Sequence, residues 1–149
     1  MMRRLVIGVD GSPAANRAVE VGLELAVGSG ADVVFMHFSP LAESLFREDP
    51  ENGPSQQRIA EADPVLKQAA ETARARGVRA ELDLEAERGK GNIAAALAGV
   101  AEGKDADFIV VGTRGHGEIL SAVLGSVSHE LLMISRLPVV VVHAGVGGE

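Results

Sequence analysis

Five short apolar runs recur along the chain, separated by segments in which apolar residues repeat at helical spacing. Four of the runs are nearly continuous in Val, Ile, Leu and Phe, which is typical of strands covered on both faces. The third run alternates apolar and charged residues, and this predicts a half-exposed strand at a sheet edge. The predicted strands occupy residues 5–9, 31–38, 78–87, 106–111 and 138–143.

The first two predicted helices carry recognisable start and stop signals. Ser12 precedes Pro13, an arrangement typical of an N-cap and the first helical position, and we expect this helix to end near Gly28. Asp63 precedes a proline in the same way, and Gly77 follows the last residue of that apolar stripe.

Two further helices are predicted in the second half of the chain. Asn92 is a candidate cap for a helix that ends at Gly103, and apolar positions 127, 131 and 134 indicate the last helix. Residues 39–62 are polar, contain three prolines and do not fit the repeat. We expect a long excursion there, with room for one short helix.

Alternating strands and helices with right-handed crossovers favour an α/β fold. The specific expectation is a doubly wound five-stranded parallel sheet, in the order 3-2-1-4-5, with helices on both faces. A length of 149 residues fits a single domain over residues 1–149.

Composition narrows the classes of partner. With 21 acidic and 14 basic side chains the net charge is −7, which disfavours nucleic acid as a partner. The absence of cysteine excludes disulfides and thiolate metal sites. No apolar run approaches the roughly 20 residues of a membrane span, and the N-terminal run is too short for a signal peptide. We therefore expect a cytoplasmic protein without membrane contact.

Two loops are expected to meet where the winding of the sheet reverses, the usual ligand position in open α/β sheets. One contains Asp10, Gly11 and Ser12 after the first strand, and the other runs from Gly112 to Ser126 after the fourth. Glycines allow the backbone to approach a ligand, and free N–H groups at a helix start bind phosphate. The alternative is a run of glycines that serve only as turns.

These segments resemble the universal stress protein family. The resemblance rests on VIGVDGS at 6–12, MHF at 36–38, ADFIVVGTRGHG at 106–117, LGSVS at 124–128 and LPVVVV at 137–142. The family's nucleotide signature, Gly-x-x-Gly, nine residues, Gly-Ser, is matched by Gly112, Gly115, Gly125 and Ser126.

The resemblance implies an ATP site, usually with magnesium. By analogy Asp10 lies near the nucleoside, Phe38 lines the adenine site and Gly112 is close to the ribose. The implied phosphate contacts are backbone groups at the start of the last helix and in the loop, together with the Ser126 hydroxyl. The full set of candidate binding residues is Asp10, Phe38, Val111, Gly112, Arg114, Gly115, Gly125, Ser126 and Val127.

Other polar residues have structural alternatives. Asp10 could cap the first helix, and Arg114 and His116 could be solvated loop side chains. His37, His129 and His143 lack metal-ligand spacing, and we expect structural or surface roles and no metal site. Acidic residues alternating along the third strand are better explained by a solvated edge than by catalysis.

The favoured function is an ATP-binding, nucleotide-dependent stress-response regulator with at most slow hydrolysis. No general base is evident, and the loop lacks the lysine of a Gly-Lys-Ser/Thr motif. Alternatives are an ATP-dependent nucleotidyl or pyrophosphatase-type enzyme and a nucleotide-free dimerisation module.

The last predicted strand also bears on assembly. Its residues Val139 to Val142 would form an exposed apolar edge, so we expect a homodimer through this strand, as in the resembling family.

Overall fold

A computed structural model describes residues 2–42, 55–86, 90–113 and 125–144. Within these ranges, five parallel strands form one sheet in the order β3-β2-β1-β4-β5, so the predicted fold is confirmed. The strands are β1 (Arg4–Gly8), β2 (Asp32–Ser39), β3 (Ala80–Ala86), β4 (Phe108–Gly112) and β5 (Val139–Val142).

The helices of the described ranges follow the predicted alternation. They are α1 (Pro13–Ser29), α2 (Gln56–Ala62), α3 (Pro64–Ala75), α4 (Lys90–Gly103) and α5 (Ser126–Ile134). The Ser12 hydroxyl accepts a hydrogen bond from the Ala15 N–H at 3.2 Å, which confirms the predicted cap of α1. The short helix α2 lies in the 39–62 excursion; residues 43–54 are outside the described residues.

One predicted helix end is confirmed and one predicted helix start is wrong. The first helix ends at Ser29, near Gly28 as expected, and Gly30, with φ of 75°, supplies its left-handed C-cap. Asn92 is not a cap because α4 already begins at Lys90, which places Asn92 in its first turn. Gly91 has a poor helix propensity, so the sequence favours a later start than the backbone adopts.

Helices cover both faces of the sheet, and alternate residues of β1 contribute to two separate cores. Leu5 and Ile7 pack on the face covered by α1, α2 and α3. Val6 packs on the opposite face, against α4 and α5. We call these the α1 face and the α4 face. No helix of the described residues is long and apolar enough to cross a membrane.

The third strand is an edge, as its alternating pattern predicts. In the described ranges β3 pairs with β2 alone. Leu84 is buried on the α1 face, whereas Glu81 is exposed and forms an ion pair with Lys104 at 2.8 Å. Of the charged positions of β3, Glu81 is exposed and Asp83 and Glu85 are partly exposed, and such charges disfavour further pairing at an edge.

Candidate functional site

The carboxyl ends of β1 and β4 lie side by side at the point where the winding of the sheet reverses. Ile7 of β1 is opposite Val110 of β4, and the chain leaves both strands within a few residues of that pair. The sheet thus brings the described ends of the two predicted loops together beyond its carboxyl end. This is the position at which open α/β sheets bind ligands.

The loop after β1 is held by its own hydrogen bonds. Gly11 has a φ of 80°, a conformation that favours glycine. An Asp10 carboxylate oxygen accepts the Ser12 N–H at 2.9 Å and shapes the entry into α1. Asp10 thus has the structural role at the start of α1 that was one of its two interpretations. Its carboxylate also lies at the switch point.

Gly112 ends β4 at a close approach between the strand and α1. A Cβ atom at this position would lie 2.7 Å from the Ala14 carbonyl carbon and 2.8 Å from the Ala15 nitrogen. Such contacts are far inside van der Waals distance, so helix packing alone requires glycine here. Sequence reasoning assigned Gly112 to the ligand and missed this second role, because the contact is made by a distant segment.

Three hydrogen bonds fix the base of the loop that follows β4. The Thr113 N–H donates to the Val142 carbonyl at 2.9 Å, and the Thr113 carbonyl accepts the Gly125 N–H. The Ser128 hydroxyl lies 3.1 Å from the same Thr113 oxygen. Residues on each side of the 114–124 segment are therefore tied together at one carbonyl group.

The N-terminus of α5 faces the switch point without a capping side chain. Gly125 is the N-cap, with φ of −69° and ψ of 164°, and no side chain of the described residues caps the first-turn N–H groups. The first N–H groups of a helix have no partner within it and carry the positive end of the helix dipole. An anion placed here would meet directed donors.

Three apolar candidates share the α4 face of the sheet. Val111 is only 5% exposed and belongs to the core of that face. Phe38 and Val127 are partly buried against the same core. Burial therefore leaves the Val111 side chain little surface for a ligand, whereas Phe38 and Val127 each retain some exposed surface.

The sequence profile described as "Universal stress protein family" matches residues 1–143. The chain belongs to the universal stress protein family. A universal stress protein of Thermus aquaticus is 33% identical over 147 residues, covering 95% of this chain and 99% of that protein.

Solved structures agree with the family assignment. The protein MJ0577 superimposes with a TM-score of 0.73 at 20% identity, covering 96% of each chain, and therefore supports the fold. A universal stress protein crystallised in complex with cAMP has a TM-score of 0.67 at 25% identity, covering 97% of this chain and 98% of that one. A member of this family with closely similar architecture thus binds an adenine nucleotide.

The described residues contain part of the family's nucleotide signature. The carboxyl end of the sheet holds three of its residues, namely Gly112, Gly125 and Ser126. Ser126 is exposed at the first position of α5. Arg114 and Gly115, together with His116, fall outside the described residues. Their assignment stays a prediction.

His37 has a structural partner that its sequence spacing did not reveal. Its Nδ1 lies 2.9 Å from Oδ2 of Asp63, and both side chains are largely buried. The same Asp63 oxygen accepts the Leu66 N–H at 3.0 Å and caps α3. His129, one turn into α5, and His143, directly after β5, are both exposed, and no cluster of three potential metal ligands occurs in the described ranges.

A polar groove of about 730 Å³ lies away from this site, along β3 and beside α2 and α3. Side chains of both signs line it, including Glu71, Arg74 and the Lys104–Glu81 ion pair. This mixture of charges favours no single class of ligand. The switch point, with its helix N-terminus and glycine-bounded loop, is the better candidate site.

Proposed function

We propose that this universal stress protein binds ATP, together with magnesium, and acts as a nucleotide-dependent regulator in a stress response. The observation that carries the proposal is the start of α5 at Gly125, where no side chain of the described ranges caps the first N–H groups at the switch point. The cAMP complex of a relative with the same architecture supports an adenine nucleotide as the ligand.

The energetic requirement can be met by local donors. Micromolar affinity corresponds to about 8 kcal/mol. Hydrogen bonds to a charged group contribute roughly 1.5–3 kcal/mol each, so a few backbone N–H groups supply much of that free energy. The protein's net charge of −7 opposes an anion at long range, and magnesium would reduce that repulsion by neutralising phosphate charge.

Replacing Gly125 with aspartate tests the proposal. Its φ is negative, so a side chain fits the backbone, and Asp is a preferred N-cap residue. The new carboxylate would accept the first-turn N–H groups of α5 and repel phosphate. We expect the melting temperature to be kept or slightly raised while ATP affinity, measured by calorimetry, weakens at least about tenfold, or 1.4 kcal/mol.

Gly125→Asn is the matched variant because it caps the helix with an uncharged group of the same size. We expect an intermediate loss of affinity, since the amide competes for the N–H groups without charge repulsion. ATP affinity unchanged in a folded Gly125→Asp protein would refute the phosphate site and leave a dimerisation module as the better interpretation. Parallel titrations with AMP and cAMP would define the preferred nucleotide.

We further propose that turnover is slow. ATP hydrolysis needs a group that positions water and charge neutralisation beyond a phosphate cradle. The buried His37–Asp63 pair is committed to the start of α3, since Asp63 also caps that helix. We expect a rate far below the roughly 10 per second of a typical enzyme. A magnesium-dependent rate of that order in tag-free protein would favour the enzyme alternative.

The proposed assembly is a homodimer joined through β5. In the described ranges β5 pairs only with β4, and it consists of four valines. An unpaired apolar strand edge is normally covered or paired with another chain.

A further inference from the structure

The geometry points to Ser128 as a positioning residue that fixes the N-terminus of α5 against the end of β4, and so sets the direction of the N–H groups offered to a nucleotide. This inference rests on the proposed nucleotide-binding function. Ser128 lies in the LGSVS segment that resembles the family but outside the four-residue nucleotide signature, and it would act through the backbone of Thr113 and Gly125 rather than by touching the ligand.

Ser128 is a buried polar side chain with a specific arrangement of partners. It is 2% exposed, and its Oγ lies 3.1 Å from the Thr113 carbonyl oxygen and 3.1 Å from the Gly125 carbonyl oxygen. The hydroxyl has one proton, so it donates to one of these oxygens at a time or is shared between them. The Thr113 oxygen also accepts the Gly125 N–H.

These contacts join two elements that are distant in sequence. Thr113 directly follows β4 and is itself held by the Val142 carbonyl in β5, whereas Ser128 lies in the first turn of α5. A hydrogen bond between them therefore sets both the distance and the rotation of the helix start relative to the sheet. The N–H groups of that first turn move with the helix, so their direction depends on the anchor.

Packing alone does not explain serine at this position. Leu131, three residues further along the helix, is fully buried in the core of the α4 face. Positions three apart lie on the same side of a helix, so the 128 side chain points in the direction of that core. A small apolar residue would satisfy packing there, whereas a hydroxyl is retained at low energy only with a partner. Here the partner is the backbone at the base of the candidate site.

Two variants of nearly equal shape isolate the hydroxyl. Ser128→Thr keeps it, because a helical threonine can bond the carbonyl three or four residues earlier, and Ser128→Val removes it. We expect Ser128→Thr to bind ATP within about twofold of the unaltered protein and Ser128→Val to bind at least about fivefold more weakly. Ile109→Val, in the buried part of β4, provides a destabilised control that should keep full affinity.

Hydrogen exchange provides a measurement that does not depend on nucleotide. The Gly125 amide should exchange at least about fivefold faster in Ser128→Val than in Ser128→Thr, because its hydrogen bond to Thr113 lies beside the missing anchor. Equal exchange in the two variants would show that Ser128 anchors nothing.

The outcomes separate the two proposals. Binding by the unaltered protein with equal ATP affinities for Ser128→Thr and Ser128→Val overturns the positioning role and leaves the nucleotide site intact. No binding of ATP, AMP or cAMP by the unaltered protein refutes the proposed function and the nucleotide-directing role with it, while exchange still decides whether Ser128 anchors the helix. An equal loss of affinity in Ile109→Val also overturns the positioning role, because general destabilisation would then explain the effect.

Discussion

Asp107 shows how a single carboxylate can join two strands far apart in sequence. Its Oδ2 accepts the Arg3 N–H at 2.6 Å and the Arg4 N–H at 3.0 Å, linking the start of β4 to the start of β1. The hydrogen bond from the Arg3 N–H, and after it that from the Arg4 N–H, holds the pKa of Asp107 below its usual range. The ionised form is thus favoured in the folded protein more than in the unfolded chain.

The pH dependence of Asp107→Asn follows from that direction. A lowered pKa stabilises the fold above the ordinary aspartate value of about 4, and the stabilisation is lost as the pH falls through the folded-state pKa. We expect the variant to melt about 2–4 °C lower at pH 7, with the difference shrinking below pH 4. Thermal melts of both proteins between pH 3 and pH 7 would measure this difference.

Asp83→Asn is the control, because it removes the same charge without a backbone hydrogen bond among the described residues. A matching acid-dependent loss of stability in this variant would contradict the assignment to Asp107.

At the scale of elements, the features predicted correctly are those encoded locally. Strand runs, the Ser12 cap and the Asp63 cap depend on residues within a few positions of one another, and all appear in the structure. The parallel order follows from alternation and crossover handedness. The start of α4 was predicted too late because Gly91 is a poor helix former, although the helix includes it.

The sequence predicts where the candidate site lies, but only some of the contacts that hold its residues in place. Strand order places the two loops together, and the Gly125–Ser126 pair before an apolar stripe indicates the start of α5. The anchor at Ser128 could not be read from the sequence, because Thr113 is 15 residues away and its carbonyl has no side-chain signal. The His37–Asp63 pair spans 26 residues and was missed for the same reason. A serine on an apolar helical face was the one available hint.

At the scale of the whole molecule, the two sheet edges differ in chemistry. β3 presents charged residues, including the exposed Glu81, and within the described part of the chain it pairs with β2 alone. At the opposite edge, the first three valines of β5 are partly exposed. The neighbouring helix α5 adds exposed apolar side chains, of which Met133 is 74% exposed. Charges disfavour pairing at the first edge, whereas the described residues give the second edge no comparable charges.

The proposed dimer predicts that a charge on β5 will separate the subunits. Val141→Lys places an ammonium group on a partly exposed position of the edge strand, and its aliphatic stem can still cover the adjacent core. We expect a folded protein whose dimer dissociation constant rises at least about tenfold, or 1.4 kcal/mol, by sedimentation at micromolar concentrations. Val27→Lys, on the outer side of α1 where the side chain is already 56% exposed, introduces the same charge away from β5 and should leave the dimer intact.

If the unaltered protein sediments only as a monomer, the β5 dimer is excluded. If both lysine variants dissociate equally, net charge rather than the β5 edge controls association. Dissociation confined to Val141→Lys, with ATP affinity retained, would show that the valine edge joins the subunits while each nucleotide site is complete within one chain.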